Sequence, residues 1–393
     1  MDTVLIRDLV QTQEVEIKTG PFGTQLKASE YVDRGTPVLN VRNLGFSTVN
    51  TEKLEMVGNE TIKRLSVHTL HTGDIVFGRK GAVERHAFIS EFEDGWMQGS
   101  DCIRLRAKNE RINARYLSYY FLTPQHRSFM LSMCSHGTTM ASLNQKIIEM
   151  ISIPLPERKV QDQVVAILSA LDEKIKNNQE INDNLQQQAS ALFLSFYDWS
   201  NTEVRYTDLI QILGGGTPKT GENTYWNGNI AFFTPKDVGT PYTLITEKTI
   251  TEEGLSHCNS RLYPVNTVFV TARGTVGKVG MSGVPMAMNQ SCYALVGKET
   301  HQLLVYFYTL KAVDRLKHKA SGAVFDAITT RDFESEQIMK LSDDDAKAFL
   351  CIAEPMFQKV LNNCIENLRL STLRDSLLPK LMSGEVDVSA VKL

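Results

Sequence analysis

The chain has 393 residues, about twice the usual length of one domain, so two or more domains are expected. A composition of 42% hydrophobic and 22% charged residues excludes a largely disordered chain. The formal net charge of −3 excludes nucleic-acid binding through bulk positive charge, although it leaves room for a locally basic face.

The sequence shows no sign of secretion or membrane insertion. Its six cysteines form no CxxC pair, and its first residues lack the basic-then-apolar pattern of a signal peptide. No apolar run approaches the roughly 18 residues that are needed to cross a bilayer. We therefore expect a cytoplasmic protein with reduced thiols and no membrane contact.

Short motifs recur in the same order in both halves of the chain. Gly23-Thr24 and Gly216-Thr217 lie 193 residues apart, as do Lys80-Gly81 and Arg273-Gly274. Two further pairs follow at 191 and 185 residues, as small loop deletions would produce: Gln98-Gly99-Ser100 with Asn289-Gln290-Ser291, and Ser135-His136-Gly137 with Ala320-Ser321-Gly322. A period near 190 is too long for a solenoid repeat, so the sequence predicts a duplicated domain.

Each repeat begins with short β-branched and aromatic runs that are bounded by Gly, Pro and Asn. The runs at 74–77 and 266–270 are typical of strands, and the stretches 115–133 and 302–319 have helical periodicity. We expect an α+β fold in which two mixed, mostly β domains are separated by two long helices. The predicted boundaries are 1–156 and 199–341 for the domains, and 157–198 and 342–393 for the helices and tail.

The two predicted long helices carry apolar residues at heptad spacing, which is typical of a coiled coil. The stripes run from Val164 to Phe196 and from Phe349 to Leu381, and Arg374 is the one clear defect in the second. Two polar layers interrupt the stripes at equivalent places: Asn178 and Asn182 in the first helix, Asn363 and Asn367 in the second.

These asparagines select an orientation for the helices. Each pair flanks the centre of its stripe equally, so antiparallel pairing would bring Asn178 to Asn367 and Asn182 to Asn363. Paired asparagines in a core penalise shifted registers; the alternative is that they lie on a solvated flank of shorter helices. A helix of 33 residues spans roughly 50 Å, and the pairing would place the two β-rich domains at opposite ends, related by a pseudo-twofold axis. Such a spacer can serve DNA half-sites about 34–36 Å apart.

No catalytic motif is found. The sequence lacks a Gx4GK[ST] phosphate loop, HExxH and GxSxG. The glycines at 214–216 are followed by Thr217 and Pro218, which favours a sharp loop over a nucleotide cradle. Cys102 and Cys292 occupy nearly equivalent strand positions and are predicted to be buried thiols. We expect a non-catalytic chain without a metal.

Polar loops at equivalent places in both halves contain residue types that suit base edges and phosphates. The candidate DNA contacts of the first half are Thr24, Lys27, Asn43, Arg79, Lys80, Arg85 and Gln98. Those of the second half are Thr217, Lys219, Lys236, Asp237, Arg273, Lys278, Asn289 and Gln290. Asn289 and Gln290 could instead only tie loops together. The basic segment from Arg104 to Arg115 could contact the DNA backbone or form a solvated face.

Several longer motifs carry a family resemblance. They are Lys18–Leu26, Gly35–Val38, Pro154–Pro156, Gly216–Lys219, Tyr225-Trp226, Phe233–Asp237, Arg273–Lys278, Asn289-Gln290 and Leu377–Glu385. With them the chain resembles the specificity (S, HsdS) subunit of Type I restriction-modification systems over essentially its whole length. Arg79–Arg85 and Gln98-Gly99 depart from the family pattern, which leaves the DNA-contacting atoms of the first half less defined.

The resemblance implies a DNA sequence-specificity subunit in which two target recognition domains each read one half of a bipartite, asymmetric DNA target. It further implies that the two helices form an antiparallel coiled coil, set the unread spacer and bind two modification (methyltransferase) subunits. Two restriction subunits are expected to join, and S-adenosylmethionine, ATP and Mg belong to these partners. A methyltransferase-only or other phage-defence system is the alternative, and a coiled-coil adaptor that binds protein or glycan is a third.

Replacing Asn178, Asn182, Asn363 and Asn367 together by leucine tests the pairing. We expect the helices to lose their single register, because leucine layers tolerate shifted pairings that unpaired asparagines penalise. Cysteine cross-linking across the helices would detect the shifted registers, and sedimentation would detect altered assembly. An unchanged register and assembly state would contradict the pairing.

Overall fold

The computed structural model describes residues 3–23, 25–134, 142–319 and 327–388. The chain forms two compact units: the first comprises Met1–Glu173 and Leu370–Leu393, and the second comprises Lys174–Arg369.

The first unit contains two four-stranded sheets. Its elements in chain order are β1 (Thr3–Leu5), α1 (Ile6–Gln11), β2 (Val15–Thr19), β3 (Tyr31–Val32), β4 (Thr36–Leu39), β5 (Glu55–Val57), α2 (Asn59–Arg64), β6 (Ile75–Gly78), β7 (His86–Phe88), β8 (Met97–Gln98), β9 (Cys102–Ala107), α3 (Ala114–Tyr120), α4 (Pro124–Cys134), α5 (Gln145–Glu149), β10 (Ser152–Pro154) and the start of α6 (Arg158–Tyr197). The sheets have the orders β2-β9-β6-β7 and β3-β5-β4-β8, with β4 and β8 parallel.

Local chemistry explains where these elements lie. All four residues of β6 are buried, as expected for an apolar run at the centre of a sheet. The stretch 115–133, predicted as one helical region, is two helices, α3 and α4. The second begins at Pro124, because proline lacks an N–H group and is tolerated only in the first turn of a helix.

The second unit has a closely similar set of strands. Its elements are the rest of α6, β11 (Thr202–Arg205), α7 (Tyr206–Leu209), β12 (Ile210–Gly214), β13 (Trp226–Phe233), β14 (Tyr242–Thr243), β15 (Lys248–Ile250), α8 (Glu252–Ser256), β16 (Val268–Thr271), β17 (Val279–Ser282), β18 (Met286–Met288), β19 (Cys292–Gly297), α9 (Gln302–Lys319), α10 (Thr330–Ser335), β20 (Gln337–Lys340) and most of α11 (Asp343–Ser383), whose end from Leu370 belongs to the first unit. The sheets have the orders β12-β19-β16-β17-β14 and β15-β13-β18, with β13 and β18 parallel. The order β2-β9-β6-β7 therefore has a counterpart in β12-β19-β16-β17.

Helices α6 and α11 are continuous over 40 and 41 residues, longer than their apolar stripes. At the start of α6, the guanidinium of Arg158 donates to Asp162 at 2.7 Å, which stabilises the first turn. At the start of α11, the hydroxyl of Ser342 accepts a hydrogen bond from the N–H of Asp345 at 3.1 Å and so caps the helix. Among the residues that the structure describes, no helix is long and apolar enough to span a membrane.

Two histidines are buried in the core of the first unit. His86 and His126 are 0% and 2% exposed, and the His126 ring centroid lies 4.8 Å from that of Phe121. Nε2 of His86 lies 2.9 Å from the hydroxyl of Ser118, whereas neither ring nitrogen of His126 has a partner in the described part of the chain. Because burial disfavours the charged imidazolium, it lowers the pKa of each histidine to about 3.

This burial predicts a loss of stability in acid. Below the ordinary histidine pKa of 6.5, His86 and His126 become protonated in the unfolded chain. In the folded chain they stay neutral down to about pH 3. The free energy of unfolding should therefore fall from pH 6.5 towards pH 3, by about 2 kcal/mol per histidine near pH 5. Urea unfolding followed by the fluorescence of Trp96 reports on this unit alone once Trp199 and Trp226 are replaced by phenylalanine.

The substitution His126→Phe should flatten this pH dependence, because a phenyl ring fills the same space and takes up no proton. The matched control is His71→Phe, since His71 is an exposed ring in the same unit. An equally steep acid loss in His126→Phe and in the parent chain would contradict the assignment.

Candidate nucleic-acid interface

In the first unit, the loop after β6 presents Lys80 to solvent on a fixed backbone. The N–H of Arg79 donates to the carbonyl of Asp101 at 2.7 Å, and the carbonyl of Arg79 accepts from the N–H of Leu143 at 2.8 Å. Lys80 forms an antiparallel bridge with Ser142, and its ammonium lies 3.5 Å from the Asp101 carboxylate. The main chain is thus held from two sides while the Lys80 side chain remains exposed.

Arg79 and Arg85 each lie over an exposed aromatic ring. Cζ of Arg79 is 5.3 Å from the ring centroid of Phe22, and Cζ of Arg85 is 5.6 Å from that of Phe46. The attraction between a guanidinium and an aromatic face keeps each cation at the surface. Neither phenylalanine is among the predicted contacts; the sequence signal for both is an aromatic residue beside glycine in a polar loop.

Asn43 and Gln98, two predicted DNA contacts, are fully buried. Nδ2 of Asn43 donates to the carbonyl of Asn50 at 2.9 Å. Nε2 of Gln98 donates to the carbonyls of Lys18 at 2.9 Å and Cys102 at 3.1 Å. A side chain without exposed surface cannot reach DNA, so the prediction is corrected: these amides satisfy backbone groups and hold the loops in shape.

Two other candidates of the first half precede β3. Lys27 is exposed, and its backbone N–H donates to the carboxylate of Glu30 at 2.8 Å, which closes a short turn. The Lys27 ammonium therefore remains available to a ligand. Thr24 lies outside the described residues.

The basic segment from Arg104 to Arg115 is not a free cationic face. Arg104 is 2% exposed, and hydrogen bonding to the Asp74 carboxylate raises the pKa of Arg106. Each of the five cations has an acidic partner: Arg104 with Glu16, Arg106 with Asp74 at 2.6 Å, Lys108 with Glu16 at 2.7 Å, Arg111 with Glu14 at 2.9 Å and Arg115 with Asp172 at 3.6 Å. The buried Arg104 therefore belongs to neither a solvated face nor a DNA contact, whereas Lys108 and Arg111 remain on a solvated, ion-paired surface.

In the second unit, the loop after β16 presents Arg273 and Lys278. The hydroxyl of Thr271 accepts from the N–H of Lys278 at 2.9 Å, and the N–H of Gly277 donates to the Thr271 carbonyl at 2.9 Å. Gly277 has φ of +74°, a conformation that favours glycine. Arg273 forms an antiparallel bridge with Ala327, as Lys80 does in the first unit with Ser142.

The glycine-rich segment before Pro218 is a sharp loop, as predicted. A Cβ added to Gly215 would lie 2.3 Å from the carbonyl oxygen of Asn289, so only glycine allows this approach. The hydroxyl of Thr217 donates to the side-chain carbonyl of Gln290, and Oδ1 of Asn289 accepts from the N–H of Ser291 at 3.0 Å. Thr217 and Gln290 thus tie two loops together, whereas the Asn289 side chain braces its own turn; Gln290 also stays exposed.

Lys219 and Lys236 are exposed, whereas Asp237 shapes a turn. Oδ2 of Asp237 accepts from the N–H of Thr234 at 2.8 Å and from its hydroxyl at 2.6 Å, and Oδ1 accepts from the N–H of Glu247 at 2.8 Å. The ammonium of Lys236 lies 3.4 Å from the Glu247 carboxylate. Asp237 is therefore a positioning residue, and Lys219 and Lys236 are exposed cations, the latter beside a carboxylate.

The four asparagines of the long helices lie in the second unit and meet in pairs. Nδ2 of Asn178 donates to Oδ1 of Asn367 at 2.9 Å and to the carboxylate of Glu366 at 2.8 Å. Nδ2 of Asn363 donates to Oδ1 of Asn182 at 2.8 Å. Asn178 and Asn363 are each 1% exposed, so these contacts are shielded from water and costly to break.

In the first unit, Arg374 is one half of an ion pair. Its Nη1 donates to Oδ1 of Asp172 at 2.9 Å, while the hydroxyl of Tyr119 donates to Oδ2 of Asp172 at 2.7 Å. The apparent defect in the second stripe is therefore a charged layer whose acidic partner lies beside the first stripe.

The buried thiols offer no nucleophile near neutral pH. Cys102 and Cys292 are buried, as predicted, and burial raises the pKa of each thiol to about 12. Within the described ranges, no group of three or more His, Cys, Asp or Glu side chains could hold a metal ion.

Comparison with known proteins identifies the class to which this fold and these loops belong. The family described as Type I restriction modification DNA specificity domain matches residues 36–187 and 198–340, which together make up most of the chain. The protein belongs to this family of DNA target-recognition proteins, whose specificity subunits are non-catalytic.

Individual relatives match the chain over nearly the full length of both proteins. The chain is 22% identical to the Type I restriction enzyme HindI specificity subunit of Haemophilus influenzae, over 89% of this chain and 92% of the relative. It is 22% identical to the putative MjaX specificity subunit of Methanocaldococcus jannaschii, over 98% and 93%. The crystal structure of a Type I restriction-modification S subunit from M. genitalium has the same fold, with a TM-score of 0.60, 15% identity and coverage of 97% and 96%.

Stability measurements separate the buried amides from the exposed cations. Asn43→Ala leaves backbone groups without partners, so we expect it to lower the free energy of unfolding of the first unit by about 1–3 kcal/mol. Lys80→Ala, the control, should change it by less than about 0.5 kcal/mol. Urea unfolding followed by Trp96 fluorescence measures both changes. Equal stability of the two variants would contradict the structural role of Asn43.

Proposed function

We propose that the chain reads a bipartite, asymmetric duplex DNA target, one half with each unit. The observation that carries the proposal is that both units contain the same kind of loop. After β6 and after β16, an exposed cation, Lys80 or Arg273, stands on a backbone held by a bridge to Ser142 or Ala327. A basic side chain on a rigid loop suits the acceptor-rich edge of guanine in the major groove. The double match to the DNA specificity family supports two such reading units.

The different chemistry of the two loops supports an asymmetric target. The first presents a lysine between two arginines that lie over phenylalanine rings, and the second presents Arg273 and Lys278 on a glycine-rich turn. A guanidinium binds guanine through two hydrogen bonds, whereas an ammonium acts as a point charge. Two loops that differ in this way favour different base pairs.

We further propose an internal duplication with pseudo-twofold symmetry, in which α6 and α11 form an antiparallel coiled coil that sets the unread spacer. The matching strand orders of the two units support the duplication. The contacts of Asn178 with Asn367 and of Asn182 with Asn363 support the pairing, since a shifted register would separate these amides. Candidate half-sites one turn apart lie about 34–36 Å from each other, within the length of such helices.

The proposed assembly contains duplex DNA, two modification subunits and two restriction subunits in the cytoplasm. S-adenosylmethionine, ATP and Mg would act on those partners, and this chain would hold none of them. The relatives named as Type I restriction enzyme specificity subunits support this assignment. In a methyltransferase-only or other phage-defence system the same chain would read DNA in the same way, without the restriction subunits, so co-purification distinguishes the two.

Methylome sequencing tests the proposal. Deleting the gene should remove one bipartite methylation motif from the host. Restoring the chain with Lys80→Ala should lower or relax methylation through one half of the motif, and Arg273→Ala through the other. Loss of a base contact is worth about 1–3 kcal/mol, or at least about fivefold in rate.

The matched control is Arg7→Ala, which removes an exposed arginine of α1 in the first unit and should leave the motif intact. A genome whose methylation is unchanged by the deletion would refute the function. Variants of Lys80 and Arg273 that alter the same half of the motif would refute the assignment of one half to each unit.

A further inference from the structure

Two cations from different elements lie near the same aromatic ring, Phe46, beside the loop that follows β6 in the first unit. Cζ of Arg127, on α4, lies 4.7 Å from the ring centroid of Phe46, and Cζ of Arg85 lies 5.6 Å from the same centroid. Both arginines are exposed, and no carboxylate among the described residues lies within 4.0 Å of either guanidinium. Two positive charges without a carboxylate partner at one exposed ring make a cationic patch that attracts an anion.

The ring that carries them is held in place. The N–H of Ser47 donates to the carbonyl of His86 at 2.9 Å, and the N–H of His86 donates to the carbonyl of Gly45 at 3.1 Å, so the backbone is tied on both sides of Phe46. Ser47 has φ of 60°, unusual for a residue with a side chain, and its hydroxyl lies 2.6 Å from that of Ser118. Phe46 is thus a fixed platform, 41% exposed, for two guanidinium groups.

The second unit has a corresponding pair of cations. A Cβ built on Gly277 would lie 2.6 Å from Cε and 3.3 Å from Nζ of Lys317, so this lysine of α9 lies along the bare backbone of Gly277. The next residue along the loop is Lys278. Both lysines are exposed, and in the described part of the chain no carboxylate lies within 4.0 Å of either ammonium.

We propose that Arg85 with Arg127, and Lys278 with Lys317, form two clamps for DNA backbone phosphates, one in each unit. The proposal rests on the proposed function and adds the chemical group that these residues bind. Positive charge is common to both pairs, but the fork of arginine is present in only one of them. A phosphate requires charge, whereas a base edge requires a particular hydrogen-bond geometry, so the shared property favours phosphate.

The clamps and the loop tips would then have separate tasks. Phosphate contacts fix the register and orientation of a protein on the duplex without reading sequence. The cations on the helices α4 and α9 would hold the backbone, which leaves Lys80 and Arg273 to meet the base edges.

The salt dependence of DNA binding tests the clamps. The full chain in complex with its modification subunits is titrated with a target duplex and with a random-sequence duplex over a range of salt concentrations. Arg127→Ala and Lys317→Ala should each reduce the slope of log K against log salt by about 1. Each should also weaken binding to the two duplexes by the same factor. Arg127→Lys should restore the slope, because it keeps the charge.

The controls are Arg7→Ala in the first unit and Lys311→Ala on α9, whose ammonium lies over the ring of Tyr197 instead of at the loop. An unchanged slope in Arg127→Ala and Lys317→Ala would overturn the clamps. A loss of affinity for the target duplex alone would also overturn them, because it indicates base reading. Weaker assembly with the modification subunits at an unchanged slope would assign the cations to a protein contact and overturn them too. A wild-type complex that binds both duplexes equally would contradict the proposed function, while the slopes would still test the clamps.

Discussion

Main-chain hydrogen bonding of the loops is the constraint on which the candidate interface depends. A polar loop must satisfy its own N–H and carbonyl groups before its side chains can serve a ligand. The inner amide and carboxylate groups, such as those of Asn43, Gln98 and Asp237, are used for this purpose. The side chains exposed at the loop tips are cations, among them Lys80 and Arg273. Because these stand on a fixed backbone, little conformational entropy is lost when they bind.

The distribution of charge follows the same division. Most arginines near the sheet of the first unit pair with carboxylates, as Arg106 does with Asp74, so they contribute to folding and not to the external field. The arginines that are paired in this way do not add to a basic DNA-binding face, in keeping with a net charge of −3. Binding that depends on few phosphates is weak, because each neutralised phosphate adds to the affinity through released counterions. A subunit of this kind would gain affinity from its partners and contribute the choice of sequence itself.

The sequence predicts the elements well where one local rule decides them. Helix α9 covers the predicted stretch 302–319, and the glycine-rich segment before Pro218 forms a sharp loop, because periodicity and glycine chemistry act over a few residues. Such local rules do not predict which individual polar side chains are buried. In sequence, Asn43 looks like an exposed residue that could contact DNA. Its role is structural because the fold brings the carbonyls of Asn50 and Glu52 to its amide. Likewise Arg127 lies far along the chain from Phe46, so no spacing rule could join them.

The long helices show why polar layers alone do not specify a partner. Because Asn178 and Asn182 flank the centre of their stripe equally, antiparallel pairing of α6 with another α6 would match asparagine with asparagine as well as the proposed pairing with α11 does. The pair of Asp172 and Arg374 breaks this equivalence. Two α11 helices paired about their centre would place Arg374 opposite Met356, so the guanidinium would lose the Asp172 carboxylate and keep only Asp375 of its own helix. The charged layer, which looks like a defect in one helix, therefore favours pairing between the two different helices.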